Sequence, residues 1–197
     1  MEEAIRPQVV ALDARLATAS DAEVVAACTE GVPEAFRELL RRYRKSAMTL
    51  AYQMLGNGED AEDIAQEAFV RVFQAVPKFR GESAFSTWLY RIVTNLCLGR
   101  MRRRRPTVTL EAVPEPRAAE GPAKQVAEGM LTREVLAGVP PELRVVLLLR
   151  EQEGLSYREI SGALGLPMGT VRSRLSKGRK RFRKLWNQLG ESREKTR

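Results

Sequence analysis

From Arg104 to Gln125 the helical periodicity that governs the rest of this 197-residue chain stops. Pro106, Pro114, Pro116, Gly121 and Pro122 crowd that stretch, and proline denies it both a continuous helix and a central strand. On either side, apolar residues recur at three- and four-residue spacing, with almost no strand-like alternation. The expected fold is therefore all-α, two small helical domains joined by a flexible linker. The expected divisions are an N-terminal extension at 1–19, a first domain at 20–105, a linker at 106–128, a second domain at 129–189 and a basic tail at 190–197.

In the extension, Ile5, Val9, Leu12 and Leu16 recur at helical spacing and suggest a short amphipathic helix. Ser20 with Glu23 forms a capping box that opens a helix to about Thr29, ended by Gly31 and Pro33. A longer helix presents Phe36, Leu39, Leu40, Tyr43, Ala47, Leu50, Ala51, Met54 and Leu55 on one face, and Gly56-Asn57-Gly58 ends it. The next helix starts at Glu59–Asp60 and is expected to bury Ile64, Ala68, Phe69, Val72 and Phe73 before Pro77. Its first turns carry Glu59, Asp60, Glu62, Asp63 and Glu67, charges that favour a helix N-terminus. A polar loop, 78–83, leads to a helix from about Phe85 to Arg103, with Phe85, Leu89, Ile92 and Leu96 inward.

Charge is divided as sharply as periodicity. Residues 1–99 carry a net −3 and residues 144–197 a net +9, within a total of +8. Eight basic residues and no acidic one lie between Ile160 and Gly190. Such asymmetry points to a polyanion partner for the C-terminal part and a different partner for the N-terminal part. The chain has no histidine, which removes Ser-His-Asp and Cys-His catalysis and every His-containing metal site. Cys28 and Cys97 sit within apolar helical patterns and are expected as free core thiols. No phosphate-binding glycine loop or nucleophile–base pair is visible, so neither an enzyme nor a cofactor is expected. The carboxylates of Asp60, Asp63 and Glu67 read as helix-start charge rather than a metal site. The start MEEAIRPQVV lacks the apolar core of a signal peptide and no run reaches membrane-span length, so a cytoplasmic location without membrane insertion is expected.

The second domain contains a more specific pattern. Ser156 and Glu159 form another capping box, opening a helix near Tyr157 whose inner face is Ile160, Ala163 and Leu164. Gly165-Leu166-Pro167 breaks it, and a second helix begins near Gly169–Thr170 with Val171 and Leu175 inward. Helix, three-residue break, helix is the helix-turn-helix pattern, here over about 157–176. Arg172, Ser173, Ser176 and Lys177 then fall on the outward face, where an arginine can pair bidentately with guanine. Arg174, Arg179, Lys180 and Arg181 flank that face, within reach of phosphates. Gly178, inside the same helix, has no explanation in the sequence.

Two blocks carry a family resemblance. GNGEDAEDIAQEAFVRVF (Gly56–Phe73) followed by KFRGESAFSTWLYRIVTNLC (Lys78–Cys97) resembles region 2 of bacterial sigma factors of the extracytoplasmic-function (ECF) type. PPELRVVLLLREQEGLSYREISGALGLPMGTVRSRL (Pro140–Leu175) resembles their region 4, in the same order and spacing. The resemblance implies an alternative sigma factor that binds RNA polymerase core and directs promoter-specific initiation.

On the residues alone, the acidic helix start is a solvated face. The resemblance instead implies that Asp60, Asp63, Ile64, Gln66, Glu67, Phe69 and Val70 meet the clamp helices of the polymerase β′ subunit. It likewise implies that Arg71, Phe79, Arg80, Ser83, Arg91 and Asn95 hold and read the −10 element, where a base is flipped from the stack. Phe79 would provide a stacking wall, and Trp88 is expected in the core. For the −35 element the implied residues are Arg158, Thr170, Arg172, Ser173, Arg174, Ser176, Lys177 and Lys180. Family members often carry arginine where Lys177 stands, and lysine is a point donor rather than a fork. Implied partners are the polymerase core (β′ clamp helices and β flap), promoter DNA and an anti-sigma factor. The competing reading is a free-standing helix-turn-helix regulator with an N-terminal dimerisation or ligand domain. It leaves the aromatic–basic loop and the acidic helix unexplained.

Overall fold

The computed structural model describes residues 5–103 and 131–194, with side chains described over 12–103 and 131–190, and every regular element among them is helical. The expected linker, 106–128, lies outside the described residues. The elements are α1 (Ile5–Thr18), α2 (Asp21–Thr29), α3 (Pro33–Leu55), α4 (Gly58–Ala75) and α5 (Phe85–Arg103), then α6 (131–137), α7 (Pro141–Leu147), α8 (Tyr157–Leu164) and α9 (Met168–Glu194).

Helices α3, α4 and α5 form the centre of the N-terminal domain, with α2 laid across α3. Leu39, Leu50, Met54, Ile64, Val72, Leu89 and Val93 are fully buried between them. The caps follow the sequence. Ser20 and Glu23 make the reciprocal capping box at α2. Gly56 closes α3 in the left-handed conformation at φ 74°. Asn57 is extended rather than left-handed and caps α4, accepting from the amides of Glu59 and Asp60 at 2.8 and 3.3 Å.

The extension does not stand apart. Helix α1 packs on α3, with Leu16 buried, and Arg42 donates to the carbonyls of Leu16 (2.8 Å) and Ala19 (2.7 Å). Leu16 lies in the last turn of α1, where its carbonyl accepts only a 3.2 Å bond from the Ala19 amide, and Ala19 follows the helix, so the guanidinium adds a charged donor at this end and complements the helix dipole. Arg42 also bonds Glu38 (2.6 Å) and Asp21 (2.7 Å), and the Tyr43 hydroxyl donates to the same Asp21. Glu38 is held on its other side by Arg41 at 2.7 and 2.8 Å. The Arg41 and Arg42 hydrogen bonds outweigh the desolvation of Glu38 and hold its carboxyl down at about 2.

In the C-terminal domain α7 lies against α9, and α8 packs on both α9 and α5. After Leu147 the backbone widens into one π-type turn, Leu148–Gln152. The side chains Val145, Val146, Leu149, Ile160, Val171 and Leu175 fill this core. Gly178 now has a physical reason. A Cβ at that position would stand 3.0 Å from Leu147 Cγ and 3.4 Å from the Leu143 carbonyl oxygen. The glycine permits a close approach of α9 to α7, which offsets its cost of about 1 kcal/mol to a helix interior.

Candidate nucleic-acid interface

The helix-turn-helix is built as its sequence requires. Ser156 accepts from the Glu159 amide, and the Glu159 carboxylate accepts from the Ser156 amide at 2.7 Å, fixing the first turn of α8. Both bonds to Ser156 hold the Glu159 carboxyl below its ordinary value. Gly165 is left-handed at φ 63°, a conformation that costs other residues about 1 kcal/mol or more. The Ser161 hydroxyl donates to the Leu166 carbonyl at 2.5 Å and the Leu166 amide to the Ser161 carbonyl at 3.1 Å, stapling the turn. Helix α9 starts at Met168, one residue before the expected Gly169, and runs without a break far beyond Leu175.

With Val171 and Leu175 fully buried, Arg172, Ser173, Ser176 and Lys177 are exposed on the opposite side of α9. Among the described residues Arg172, Lys177 and Lys180 make no ion pair, so these cations are available to an external anion. Arg158 is exposed on α8, while Thr170 and Arg174 are half-buried at the edges of the face. Thr170 uses its carbonyl to accept from the Ser173 hydroxyl at 3.0 Å, so that hydroxyl is partly occupied in the helix. Arg179 differs from its neighbours. It donates to Glu151 at 2.9 and 2.7 Å, and that carboxylate raises its pKa. A phosphate there would compete with an existing partner.

A second basic and aromatic surface lies where α4, the loop after it and α5 meet. Arg80, Ser83, Arg91 and Asn95 are exposed, with Arg91 and Asn95 one turn apart on the same side of α5. The Phe79 ring is half-buried against Trp88 (centroids 4.9 Å) and Phe85 (6.3 Å). Its position is thereby fixed from within while part of the ring stays accessible. Trp88 packs against the core between these two rings. Arg71 is exposed but donates to Glu67, one turn earlier, at 2.6 Å. The family resemblance implied different partners for these two side chains, and the fold joins them.

The acidic face of α4 needs correction at three positions. Asp60 is 4% exposed and paired with Arg100 at 2.7 Å, so it ties α4 to α5 rather than facing a partner. Ile64 and Phe69 are core residues, because the α4 stripe that packs on α3 and α5 passes through both. Asp63, Gln66, Glu67 and Val70 remain accessible. Phe73, expected inside, is 61% exposed and rests edge-on against Phe36 with centroids 4.9 Å apart. It falls one residue past the buried Val72, outside the inward stripe, and with Val70 it makes an apolar patch beside the carboxylates.

Comparison with known proteins fits this geometry. Residues 39–107 match sigma-70 region 2 and residues 130–182 match sigma-70 region 4. The chain is 41% identical over 154 residues to the ECF RNA polymerase sigma factor SigE of Mycolicibacterium smegmatis, an alignment covering 74% of this chain and 59% of that protein. It therefore spans less than two thirds of that relative. It is 36% identical over 176 residues to the ECF RNA polymerase sigma factor SigW of Bacillus subtilis, covering 81% and 93%. Among solved structures, CnrH in complex with the cytosolic domain of CnrY shares the fold at a TM-score of 0.66 and 24% identity, covering 85% of this chain and 97% of that one. The sigma factor RpoE in complex with the anti-sigma factor NepR from Bartonella quintana gives 0.65 and 23%, covering 77% and 96%. The chain belongs to the sigma-70 family, among its ECF sigma factors. It is an alternative sigma factor that directs promoter-specific transcription.

Proposed function

We propose that the two domains divide the work of initiation between them. The N-terminal domain binds the polymerase core through Asp63, Gln66, Glu67 and the Val70–Phe73 patch on α4, and opens and reads the −10 element with Phe79, Arg80, Ser83, Arg91 and Asn95. The C-terminal domain reads the −35 element through α9, with Arg172, Ser176 and Lys177 toward base edges and Arg158 and Lys180 toward phosphates. The observation that carries this reading is that Arg172, Lys177 and Lys180 are exposed on α9 and, among the described residues, make no ion pair, whereas Arg179 is held by Glu151. Tethering both domains to one polymerase raises the effective concentration of each at its promoter element. An anti-sigma factor would act by occupying these same surfaces.

The test is in vitro transcription from a promoter library with bacterial core polymerase, with and without this protein. Initiation from a defined subset of promoters only when the protein is present is the expected result. Charge reversal at Asp63 and Glu67 should reduce core binding at least tenfold while leaving helicity intact. Folded protein that binds DNA but forms no complex with core would overturn this division and return the molecule to a free-standing regulator.

A further inference from the structure

Phe79, the side chain assigned to base stacking, has few local anchors. It follows a single 3-10 turn, Val76–Lys78, and its amide donates to the Val76 carbonyl at 3.0 Å. Its backbone is extended, at φ −70° and ψ 120°, and Gly81 beyond it is left-handed at φ 69°. The next regular element, α5, begins only at Phe85. A segment with so few backbone bonds is held in place by its tertiary contacts.

Those contacts lead back to the N-terminal helices. Phe79 stands edge-on to Phe85, with centroids 6.3 Å apart and planes at 82°. Phe85 is 4% exposed and meets the Tyr43 ring of α3 at 5.2 Å. Trp88 closes the cluster, 4.9 Å from Phe79 and 5.8 Å from Phe85. Aromatic rings attract one another in tilted and edge-to-face geometry at roughly these separations. The Tyr43 hydroxyl donates to Asp21, and the same carboxylate accepts from Arg42 at 2.7 Å. Tyr43 is thus held at its hydroxyl by a charged network and along its ring by Phe85, which confines it to one rotamer. Burial, with the Asp21 carboxylate beside it, pushes the phenol above its ordinary value and keeps it a donor at neutral pH. Helix α2 adds a second support, packing on the Val76–Lys78 turn with Val24 and Val76 buried.

We propose that Tyr43 is a positioning residue for the −10 contact: anchored on Asp21, it backs Phe85 and so holds the Phe79 ring where an unstacked base can lie on it. This rests on the reading of Phe79 given above. A base extruded from the duplex has lost its stacking and regains it only on a ring already in place. A ring free to turn would be receptive for part of the time, and binding would weaken by that fraction. Tyr43 acts through Phe85, whereas a tyrosine that only filled the core would affect every function of the domain alike.

The test is a double-mutant cycle in the holoenzyme formed with bacterial core polymerase. The probe is a single-stranded non-template oligonucleotide carrying the −10 sequence of a promoter that the protein activates. Phe79→Ala should weaken its binding about tenfold. Tyr43→Leu should weaken it about fivefold when Phe79 is present and by no more than about twofold beside Phe79→Ala, because the ring it positions is then gone. Tyr43→Phe keeps the ring against Phe85 but loses the Asp21 bond, and should cost about twofold, again only with Phe79 present. It is the variant to read if Tyr43→Leu does not fold. Affinity for core polymerase and for −35 duplex should be unchanged in both Tyr43 variants. Equal losses with and without Phe79, a parallel loss of core affinity, or no loss in either variant would overturn the positioning role. An unchanged Phe79→Ala would instead remove the stacking wall itself, and the proposal with it.

Discussion

The two domains handle charge in opposite ways. In the N-terminal domain the charged side chains are largely consumed within the fold. Glu38, Arg41, Arg42 and Asp21 form one network under α1, and Arg100 joins α5 to Asp60 and Asp63 of α4 at 2.7 and 3.7 Å. In the C-terminal domain Arg172, Lys177 and Lys180 are left to solvent, and helix packing rests on apolar side chains and the close approach at Gly178. A charge count therefore says little until the pairing is known. The near-neutral balance of the first domain reflects internal use, and the excess of the second is a surface held ready for a polyanion.

Gly178 offers the largest test of this contrast. Gly178→Val should destabilise the C-terminal domain by about 3 kcal/mol, because a branched side chain meets Leu147 and the Leu143 carbonyl across a packed contact. Gly178→Ala should be nearly neutral. It recovers about 1 kcal/mol of helix propensity and asks Leu147 to shift by a few tenths of an ångström. Chemical denaturation with tryptophan emission at Trp88 and Trp186 checks both. Equal losses for alanine and valine would mean that the glycine serves backbone freedom rather than helix approach.

Glu38 tests the other side. Its folded pKa of about 2 lies below its ordinary 4.5, so its contribution is complete above about pH 4.5 and is lost as pH falls toward 2. Glu38→Gln should cost about 2 kcal/mol at neutral pH, since hydrogen bonds from two arginines lose their charged acceptor. The same variant should show a flatter acid limb than the unmodified chain. An acid limb of unchanged steepness would place the acid-sensitive group elsewhere. The thiols give a comparison within the same domain. Burial raises Cys28 to about 11 and Cys97 to about 12, so neither should react with alkylating reagents at pH 8 until the domain unfolds.

Much of the fold was legible because its signals are local. Capping boxes at Ser20 and Ser156, the glycine at 165 and the stripe through α3 each involve residues within a few positions of one another. What was not legible is tertiary. Nothing local distinguishes Asp60, which meets Arg100 of α5, from Asp63, which stays accessible. Phe73 reads as core by its chemistry but falls one residue beyond the inward stripe. Arg144 beside the run Val145–Leu149 was the visible oddity, a cation where burial should be complete, and its partners lie up to 90 residues away. The site followed the same rule. The outward face of α9 is set by helical phase alone, whereas the competition of Glu151 for Arg179 needed the fold.

That competition leads to the finest distinction. Arg172→Ala should cost about 1 kcal/mol at one −35 base pair and little on sequences already altered there, since the loss is of base discrimination. Lys180→Ala should weaken binding about threefold on every sequence and lower the slope of log affinity against log salt by about 1. Arg179→Ala should fall below Lys180→Ala, because its pair with Glu151 must be exchanged for any phosphate and two half-exposed groups gain at most about 1 kcal/mol from pairing. Glu151→Gln would then release Arg179 and bring its alanine variant up to the Lys180 effect. Binding isotherms on matched and mismatched duplexes over a salt series separate these outcomes, and uniform losses for all three cations would erase the division of α9 into reading and anchoring positions.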